Sequence, residues 1–363
     1  MIDRRQIKNI DWILIVFLLL NSFLGVLIIY SGSHYLPGNY YLRQIVWILI
    51  SFGALIFFMS IDYKFLVTFS FYFYLIFTFL LGWILFFGKT VAGAKSWISL
   101  YFIQFQPSEL IKIVLILVLA AVFAEYRRPF LSWRKFFLSS ALVVLPALLV
   151  CLQPDLGTAL SYLPILAAAL ILAGIDKKIL IFLLILILLL GGIGWNSILK
   201  DYQKERLKVL LSPSHDPLGA GYHIQQSKIA VGSGGFMGKG YKKGSQSQLR
   251  FLPARHTDFI FSVIGEEFGF LGIVAALLSY FLLLSRIFLS IKISRDRMGV
   301  YLVFMVGMMI AYQFFINVLM IIGLFPITGI PLPLLSYGGS SLLTTYLGIS
   351  LVLNVRMRRF ANV

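Results

Sequence analysis

The sequence has 363 residues, of which 60% are hydrophobic and only 12% are charged, and its formal net charge is +17 at pH 7. Its mean hydropathy of +0.93 exceeds what the core of a water-soluble protein of this length needs, which excludes an ordinary soluble enzyme or binding domain. The charged residues stand between apolar runs of about 20 residues, the length of an α-helix that crosses about 30 Å of hydrocarbon. This pattern favours a helical membrane protein over a β-barrel.

The apolar runs predict an all-α polytopic integral membrane protein of about ten transmembrane helices. In chain order, the predicted helices lie near residues 12–31, 42–60, 66–88, 108–124, 136–152, 156–174, 179–197, 259–285, 299–322 and 339–355. The first run is too long for the core of a signal peptide and lacks a cleavage site, so we expect it to remain as a helix. We predict one domain over residues 1–363, with a large extracytoplasmic loop at about 198–258, between the seventh and eighth helices.

The distribution of Lys and Arg predicts the orientation of the helices. Ten helices place both termini on the same side of the membrane, and the segments on that side hold most of the basic residues outside the large loop. These are Arg4, Arg5, Lys8, Lys64, Arg127, Arg128, Arg134, Lys135, Lys177, Lys178, Arg286, Lys292, Arg295, Arg297, Arg356, Arg358 and Arg359. The short loops on the other side hold only Lys89 and Lys95. By the positive-inside rule, both termini are therefore expected in the cytoplasm.

The segment 198–257 is an exception, because it carries ten basic residues against three acids, a surplus of seven, on the predicted outer side. A loop of this length can be translocated despite its charge. Two interpretations stay open: the charge attracts anionic lipid headgroups, or it collects an anionic, phosphate-bearing substrate. The glycine-rich segment 232–240 could cradle a phosphate with its backbone amides, or it could be a flexible turn.

Five carboxylates lie at or inside predicted helices. Glu109, Asp155 and Asp258 stand at the outer ends of the fourth, sixth and eighth helices, whose N-termini all point outward and attract anions. Each acid could be functional, or it could only cap its helix. Glu266 and Glu267 fall about two turns inside the eighth helix, where an ionisable group is costly unless it meets water or a partner. Their structural alternative is a hydrogen-bonded pair at a helix interface.

Lys112 follows Glu109 by three residues in a strongly apolar helix. An intrahelical ion pair contributes too little to justify a lysine in lipid, so we predict that Lys112 faces a hydrophilic cavity. His223 and His256 lack the spacing of a zinc site.

Five motifs, distributed over nearly the whole chain, give the sequence a family likeness. They are Gly93-Ala94-Lys95-Ser96-Trp97-Ile98 with Gln106-Pro107-Ser108-Glu109; Gln153-Pro154-Asp155-Leu156-Gly157-Thr158; Asp216-Pro217-Leu218-Gly219-Ala220-Gly221-Tyr222 with Gln226-Ser227; Arg250-Phe251-Leu252-Pro253-Ala254-Arg255-His256-Thr257-Asp258-Phe259-Ile260-Phe261 followed by Gly265-Glu266-Glu267-Phe268-Gly269-Phe270-Leu271-Gly272; and Thr328-Gly329-Ile330-Pro331-Leu332-Pro333 with Ser336-Tyr337-Gly338-Gly339-Ser340-Ser341. On these motifs, the chain resembles the SEDS (shape, elongation, division and sporulation) family. Its short ends and the Arg-His-Thr-Asp run resemble the elongation branch more than the division branch. Ala254 departs from the family pattern, which commonly has Glu at this position.

The resemblance implies a peptidoglycan glycosyltransferase of the bacterial inner membrane, which polymerises lipid II into β-1,4 glycan strands during cell elongation. It also implies a class B penicillin-binding protein as the partner that supplies the transpeptidase. Other proteins of the elongation complex and membrane lipids are further expected partners, and no nucleic acid is expected.

The implied reaction inverts the anomeric carbon, so it needs one base and no covalent intermediate. We predict Asp258 as this base, since a carboxylate can accept the proton of the attacking hydroxyl late in the reaction. The predicted substrate-binding residues are Lys112, Arg206, Glu109, Asp155 and Lys239. Among them, Arg206 stands where the family places a functional basic residue. A divalent cation, magnesium or manganese, is also predicted, held through Glu109, Asp155 or Asp258.

Two functions of other classes stay open. A lipid II flippase or transporter would also use intramembrane charges, and Glu266 and Glu267 are the deep acids that favour it. A non-catalytic scaffold of the cell-wall machinery would use the acids only as helix caps. Within the family, a division paralogue is the alternative to an elongation enzyme.

Overall fold

The computed structural model describes residues 8–34, 37–91, 93–100, 103–193, 204–205, 208–210, 219–249, 251–252 and 254–359. Fourteen helices are numbered here in chain order. They are α1 (Trp12–Ser33), α2 (Tyr40–Ser60), α3 (Tyr63–Thr68), α4 (Ser70–Phe87), α5 (Pro107–Ala124), α6 (Trp133–Leu152), α7 (Leu156–Leu160), α8 (Leu163–Ala173), α9 (Lys177–Ile193), α10 (Ala220–Ser233), α11 (Ser245–Gln248), α12 (Ile260–Ile293), α13 (Arg297–Ile321) and α14 (Gly339–Met357). The predicted helical membrane fold is thus confirmed.

Eight stretches of the described chain are helical, long and apolar enough to cross a membrane: α1, α2, α4, α5, α6, α7 with α8, α12 and α13. The predicted seventh and tenth spans correspond to α9 and α14, which are helices but are not among these eight. The count of ten therefore stays a prediction. So does the loop at 198–258, because much of it lies outside the described residues.

Helix α5 is the central helix of the bundle. It packs against α4, α8, α13 and α14, and most of its residues are buried. Around it, α14 packs on α2, and α1 packs on α2 and α12. The helix begins with Pro107 at its first turn, a position where the missing N–H of proline costs nothing. The 18 residues of α5 extend about 27 Å, close to the hydrocarbon thickness of a bilayer.

A small antiparallel sheet connects α4 to α5 and was not predicted from the sequence. Its strands are β1 (Lys89–Val91), β2 (Ala94–Leu100) and β3 (Ile103–Phe105), in the order β1-β2-β3. The backbone N–H of Lys95 also donates to the carbonyl of Gln153 at 3.1 Å, which ties the sheet to the end of α6. Two of these strands have only three residues, which is too short a pattern to recognise beside long apolar helices.

Helix α12 is broken at Gly269, where the sequence predicted one continuous span over 259–285. Gly269 has φ of 64° and ψ of −155°, a conformation that L-residues with a side chain rarely adopt. The residue also lies so close to the segment 235–238 that a Cβ on Gly269 would overlap the backbone nitrogen of Gly238. The break separates a short helical segment, residues 260–268, from the long apolar part of the helix that packs along α1.

This break corrects the predicted depth of Glu266 and Glu267. Glu267 Oε1 accepts a hydrogen bond of 2.5 Å from Ser31 Oγ, in the last turn of α1. The two glutamates therefore lie at one end of the bundle, level with the end of α1, and not two turns inside a span. The structural alternative, a hydrogen-bonded pair at a helix interface, describes the two glutamates better than a role in transport does.

Candidate functional site

The beginning of α5 is fixed by Ser340 of α14 and by Tyr162, the residue before α8. The N–H of Gln106, the residue before α5, donates to Ser340 Oγ of α14 at 2.9 Å. The hydroxyl of Tyr162, which is fully buried, donates to the carbonyl of Ser108 at 2.7 Å. These contacts hold the first turn of α5, which carries Glu109, at one end of the bundle.

Lys112 and Glu109 form an ion pair inside the protein. Lys112 Nζ lies 2.8 Å from Glu109 Oε1, and the two side chains are 0% and 5% exposed. The prediction that Lys112 faces a hydrophilic cavity is therefore wrong, because the apolar helices around α5 enclose the ammonium group completely. The second carboxylate oxygen of Glu109 is buried and has no hydrogen-bond partner among the described residues. Such an incompletely satisfied charge is costly and typical of a functional site.

Asp155 has the capping role that its position suggested. Its Oδ1 accepts from the N–H of Thr158 at 3.1 Å, which caps α7, and its Oδ2 accepts from Gln106 Nε2 at 2.9 Å. Burial raises the pKa of the Asp155 carboxyl, and the negative charge of Glu109 also raises this pKa, whereas Lys112 lowers it. The hydrogen bond from Gln106, the residue before α5, places Asp155 near the helix start that carries the Lys112–Glu109 pair.

The segment Thr328 to Gly329 lies between Asp155 and Asp258. On one side, a Cβ on Gly157 of α7 would overlap the carbonyl oxygen of Thr328. On the other side, a Cβ on Gly329 would lie 3.9 Å from Asp258 Oδ2. The structure thus brings Glu109, Lys112, Asp155 and Asp258 to the same end of the bundle, here called the Asp258 end.

The backbone around Asp258 is held by the chain that leads into α14 and by α13. Asn317 Nδ2 donates at 3.0 Å to the carbonyl of Asp258 and at 3.0 Å to that of Ile330. Ser336 Oγ donates to the carbonyl of Thr257 at 2.6 Å, and the N–H of Tyr337 donates to the carbonyl of His256 at 2.8 Å. The turn that carries Asp258 is therefore rigidly positioned, as a catalytic group requires.

Asp258 stands one residue before the N-cap position of α12. The N-cap position of α12 belongs to Phe259, whose side chain cannot accept a hydrogen bond. The Asp258 side chain is half-buried, whereas the neighbouring Phe259 is buried. A half-buried carboxylate beside a helix N-terminus can accept a proton and stays accessible to a substrate.

Lys239 is engaged in a different cluster. Its Nζ lies 2.9 Å from Glu266 Oε1, and Glu266 also accepts from the N–H groups of Gln246 at 2.7 Å and Ser247 at 2.9 Å. The charge of Lys239 is thus already balanced by Glu266. Its predicted substrate contact stays a prediction, and the predicted Arg206 lies outside the described residues.

The glycine-rich segment 232–240 does not form a phosphate cradle. The N–H groups of Lys239 and Gly240 donate at 3.0 Å to the carbonyls of Glu266 and Glu267. The carbonyl of Gly235 accepts from the N–H of Phe270 at 2.9 Å. The segment therefore pairs with the broken part of α12, and its glycines permit the close backbone approach.

Sequence reasoning gave no role to several residues that hold the site, although Ser336 and Ser340 lie in one of its motifs. Asn317, Gln44, Ser336 and Ser340 all make buried hydrogen bonds at the Asp258 end. A buried amide in an apolar helix was the available signal for Asn317, since such a group needs partners in lipid.

The described side chains fit a divalent cation poorly. Within the part of the chain that the structure describes, no group of three His, Cys, Asp or Glu residues lies close enough to hold a metal ion. Glu109 Oε1 is paired with Lys112, and both oxygens of Asp155 accept hydrogen bonds. We derive no step through a metal, and the predicted cation stays a prediction.

The fold and site define a polytopic helical membrane protein with a rigid acidic site at one end of its bundle. A family profile described as "Cell cycle protein", covering FtsW, RodA and SpoVE, matches residues 11–360. The chain belongs to this FtsW/RodA/SpoVE family, as its motifs indicated.

Similar proteins include two that are named peptidoglycan glycosyltransferases. MrdB of Escherichia coli (strain K12) is 40% identical over 273 residues, which cover 75% of this chain and 74% of that protein. RodA of Treponema pallidum (strain Nichols) is 32% identical over 430 residues, covering 98% of this chain and 99% of that protein.

Two solved structures have the same fold. A chain from a study of polymerization and crosslinking by a peptidoglycan synthase complex superposes with a TM-score of 0.85 at 31% identity, covering 97% of this chain and 99% of that chain. The crystal structure of Thermus thermophilus RodA superposes with a TM-score of 0.73 at 28% identity, covering 97% and 98% of the two chains.

Proposed function

We propose that the chain is a peptidoglycan glycosyltransferase that polymerises lipid II into β-1,4 glycan strands, with Asp258 as the general base. The observation that carries this proposal is the position of Asp258: a half-buried carboxylate on a rigid turn, held through Asn317 and Ser336. The curated relatives MrdB and RodA bear the name of this activity.

The reaction needs the sugar hydroxyl of one substrate to attack the anomeric carbon of the other. As the new C–O bond forms, the bond from the anomeric carbon to the pyrophosphate oxygen breaks, and the pyrophosphate leaves with the bonding electron pair. Asp258 accepts the hydroxyl proton, and its carboxylate also orients the hydroxyl for attack from the opposite face. Inversion at the anomeric carbon follows from this single displacement.

The Lys112–Glu109 pair and Asp155 are proposed to set the electrostatics beside Asp258. Lys112 is enclosed in this conformation, so it would contact a phosphate directly only after Glu109 moves. We assign it the role of a fixed positive charge at the start of α5, where the helix dipole also favours an anion. Arg206, which precedes α10 in the sequence, is proposed to contact the leaving pyrophosphate.

The Asp258 end is proposed to face outward, with both termini in the cytoplasm, in the inner membrane of a bacterium. The basic residues of the opposite end, among them Arg127, Arg128 and Arg297, support this orientation. A class B penicillin-binding protein is proposed as partner, acting with other proteins of cell elongation. Its support is the chain from a peptidoglycan synthase complex that shares this fold.

The test is polymerisation of fluorescent lipid II by the purified protein in liposomes, with a class B penicillin-binding protein whose transpeptidase is inactivated. We expect long glycan strands on a denaturing gel when lipid II is in the leaflet that the Asp258 end faces. Movement of lipid II between leaflets without any polymer would contradict the proposal and favour a flippase. Neither polymer nor movement, with the partner bound, would favour a scaffold.

A further inference from the structure

A cavity of about 360 Å³ lies at the end of the bundle opposite Asp258. Its walls come from the chain that follows α5, from the end of α8 and from the start of α13. Three arginines line it, Arg127, Arg128 and Arg297, and no acid is among the described residues that line it. Because α5 extends about 27 Å, the cavity lies roughly one hydrocarbon thickness from Glu109.

Hydrogen bonds of Tyr126 and Leu131 hold the loop that carries Arg127 and Arg128. The hydroxyl of Tyr126, which is buried, donates to the carbonyl of Phe130 at 2.6 Å and accepts from the N–H of Ser132 at 2.8 Å. The N–H of Leu131 donates to the carbonyl of Gly174 at 2.7 Å, which ties the loop to the end of α8. The two arginines therefore stand on a preformed backbone, which lowers the entropy cost of binding a ligand.

Arg297 closes the third side of the cavity. Its guanidinium donates a hydrogen bond to the carbonyl of Tyr126, so α13 and the arginine loop are connected. Among the described residues, none of the ion pairs involves Arg127, Arg128 or Arg297. Three guanidinium groups without a carboxylate form a site for an anion, since arginine binds phosphate with paired N–H donors.

A second cavity at the same end of the bundle differs from the first in the pairing of its charges. It has about 350 Å³ and is lined by Tyr63, Lys64, Arg295, Asp296, Val355, Arg358 and Arg359. There, Lys64 lies 3.9 Å from Asp296, and Arg358 lies 3.7 Å from Asp62. At least two of the four basic residues of that cavity are therefore paired with acids, whereas the ion pairs of the described residues include none of the three arginines of the first cavity.

The floor and rim of the first cavity indicate which anion it takes. Leu172, Ala173, Val300 and Tyr301 form an apolar floor, which a free phosphate ion would not need. Beside the arginine loop, Phe130 and Trp133 are 63% and 40% exposed, as expected of aromatic residues at a membrane–water interface. A ligand with a phosphate and acyl chains satisfies both the arginines and the apolar surface.

We propose that this cavity binds the phosphate headgroup of an anionic phospholipid from the leaflet at that end of the bundle. Basic cavities between transmembrane helices are the sites where anionic headgroups bind. The bound lipid would brace the α5 end, α8 and α13 against one another, at the end of the molecule opposite the proposed reaction. The site is independent of the proposed glycosyltransferase activity.

The test is lipid binding to the purified full-length protein in detergent, measured by native mass spectrometry with phosphatidylglycerol or phosphatidylcholine of the same acyl chains. We expect the wild-type protein to retain phosphatidylglycerol in preference to phosphatidylcholine. The triple variant Arg127→Gln/Arg128→Gln/Arg297→Gln should bind it roughly tenfold or more weakly, since it removes the three positive charges that line the cavity. The matched control Arg134→Gln/Lys178→Gln/Lys292→Gln removes the same charge from exposed positions outside the cavity and should bind as the wild type does.

Equal phosphatidylglycerol binding by the triple variant and the control would overturn the proposal. So would release of the lipid by millimolar inorganic phosphate, because the site would then be one for free phosphate. Arg297 has a structural bond to Tyr126, so the double variant Arg127→Gln/Arg128→Gln, which keeps this bond, provides the same comparison if the triple variant fails to fold.

Discussion

Lys112 and Glu109 form a salt bridge of 2.8 Å that the helix bundle encloses completely, in the first turns of its central helix. A buried pair of this kind is expensive to desolvate, and each charge depends on the other for its stability. The pair lies near Asp155, which accepts a hydrogen bond from Gln106, the residue before the helix. The presence of so costly a pair at the Asp258 end therefore points to a role in function more than in stability.

The first prediction concerns this pair. Either Lys112→Met or Glu109→Gln leaves one buried charge without its partner, so each variant should lose about 3–5 kcal/mol of stability. The double variant should recover much of this loss without recovering polymerisation. Apparent Tm by intrinsic fluorescence measures the stability change, and a lipid II gel assay measures activity.

The exposed pair Lys208–Glu205 provides a matched control, because it has the same i,i+3 spacing and the same distance of 2.8 Å. Its removal should change stability by less than about 1 kcal/mol, as is usual for surface pairs. Strictly additive effects of the two Lys112 and Glu109 substitutions would contradict the coupling of these charges.

The second prediction concerns the break in α12. Gly269→Ala should strongly lower the apparent Tm, because the φ of 64° is unfavourable for alanine and its Cβ would overlap Gly238. Gly53→Ala is the control, since a Cβ at Gly53 in α2 meets nothing within 4 Å. This control should be neutral or stabilising by about 0.5–1 kcal/mol. Similar Tm values for the two variants would show that α12 is not broken at Gly269.

The third prediction separates the two roles considered for Lys239. Lys239→Met should lower the apparent Tm, because it removes one partner of the buried Glu266, and it should leave the KM for lipid II unchanged. The nearby exposed Lys243→Met should change neither quantity. A raised KM for Lys239→Met at unchanged Tm would instead show a substrate contact.

The fourth prediction concerns pH. Burial lowers the pKa of His256 from its ordinary 6.5, and the positive charge of Arg255 lowers it further. As the pH falls below 6.5, the unfolded chain therefore takes up a proton before the native protein does, and stability decreases until the native pKa is passed.

The measurement is apparent Tm across this pH range for wild type and His256→Gln. The variant should show a weaker decrease towards low pH. Asp155 has a raised pKa and contributes with the opposite sign, but it is present in both proteins, so the difference isolates His256. Parallel Tm curves would show that His256 is not held neutral.

Much of the fold could be predicted from residue patterns, because lipid imposes a simple rule on a chain. Apolar runs long enough to cross the hydrocarbon must be helical, and the predicted spans match α1, α2, α5, α6 and α13 closely. The break at Gly269 could not be predicted in the same way. A glycine in an apolar helix is common in membranes, and only the approach of the distant Gly238 makes it a break.

The residue types of the site were predicted better than the depth of those residues in the membrane. Acids at helix starts correctly indicated that Glu109, Asp155 and Asp258 share one end of the bundle. The enclosure of Lys112 could not be predicted, because it depends on which face of α5 meets α13 and α14. The pairing of Lys239 with Glu266 could not be predicted either, because it joins residues that are 27 apart in the sequence.

The most direct test of the account compares Asp258→Asn with Asp176→Asn, a control that makes the same chemical change at an acid between α8 and α9. Both proteins are reconstituted with fluorescent lipid II, after apparent Tm and lipid II binding confirm that they fold. We predict that Asp258→Asn retains lipid II but polymerises it roughly 100-fold or more slowly, as expected for the loss of a general base, while Asp176→Asn retains the wild-type rate. Polymerisation by Asp258→Asn at the wild-type rate would contradict the assignment of Asp258 as the base.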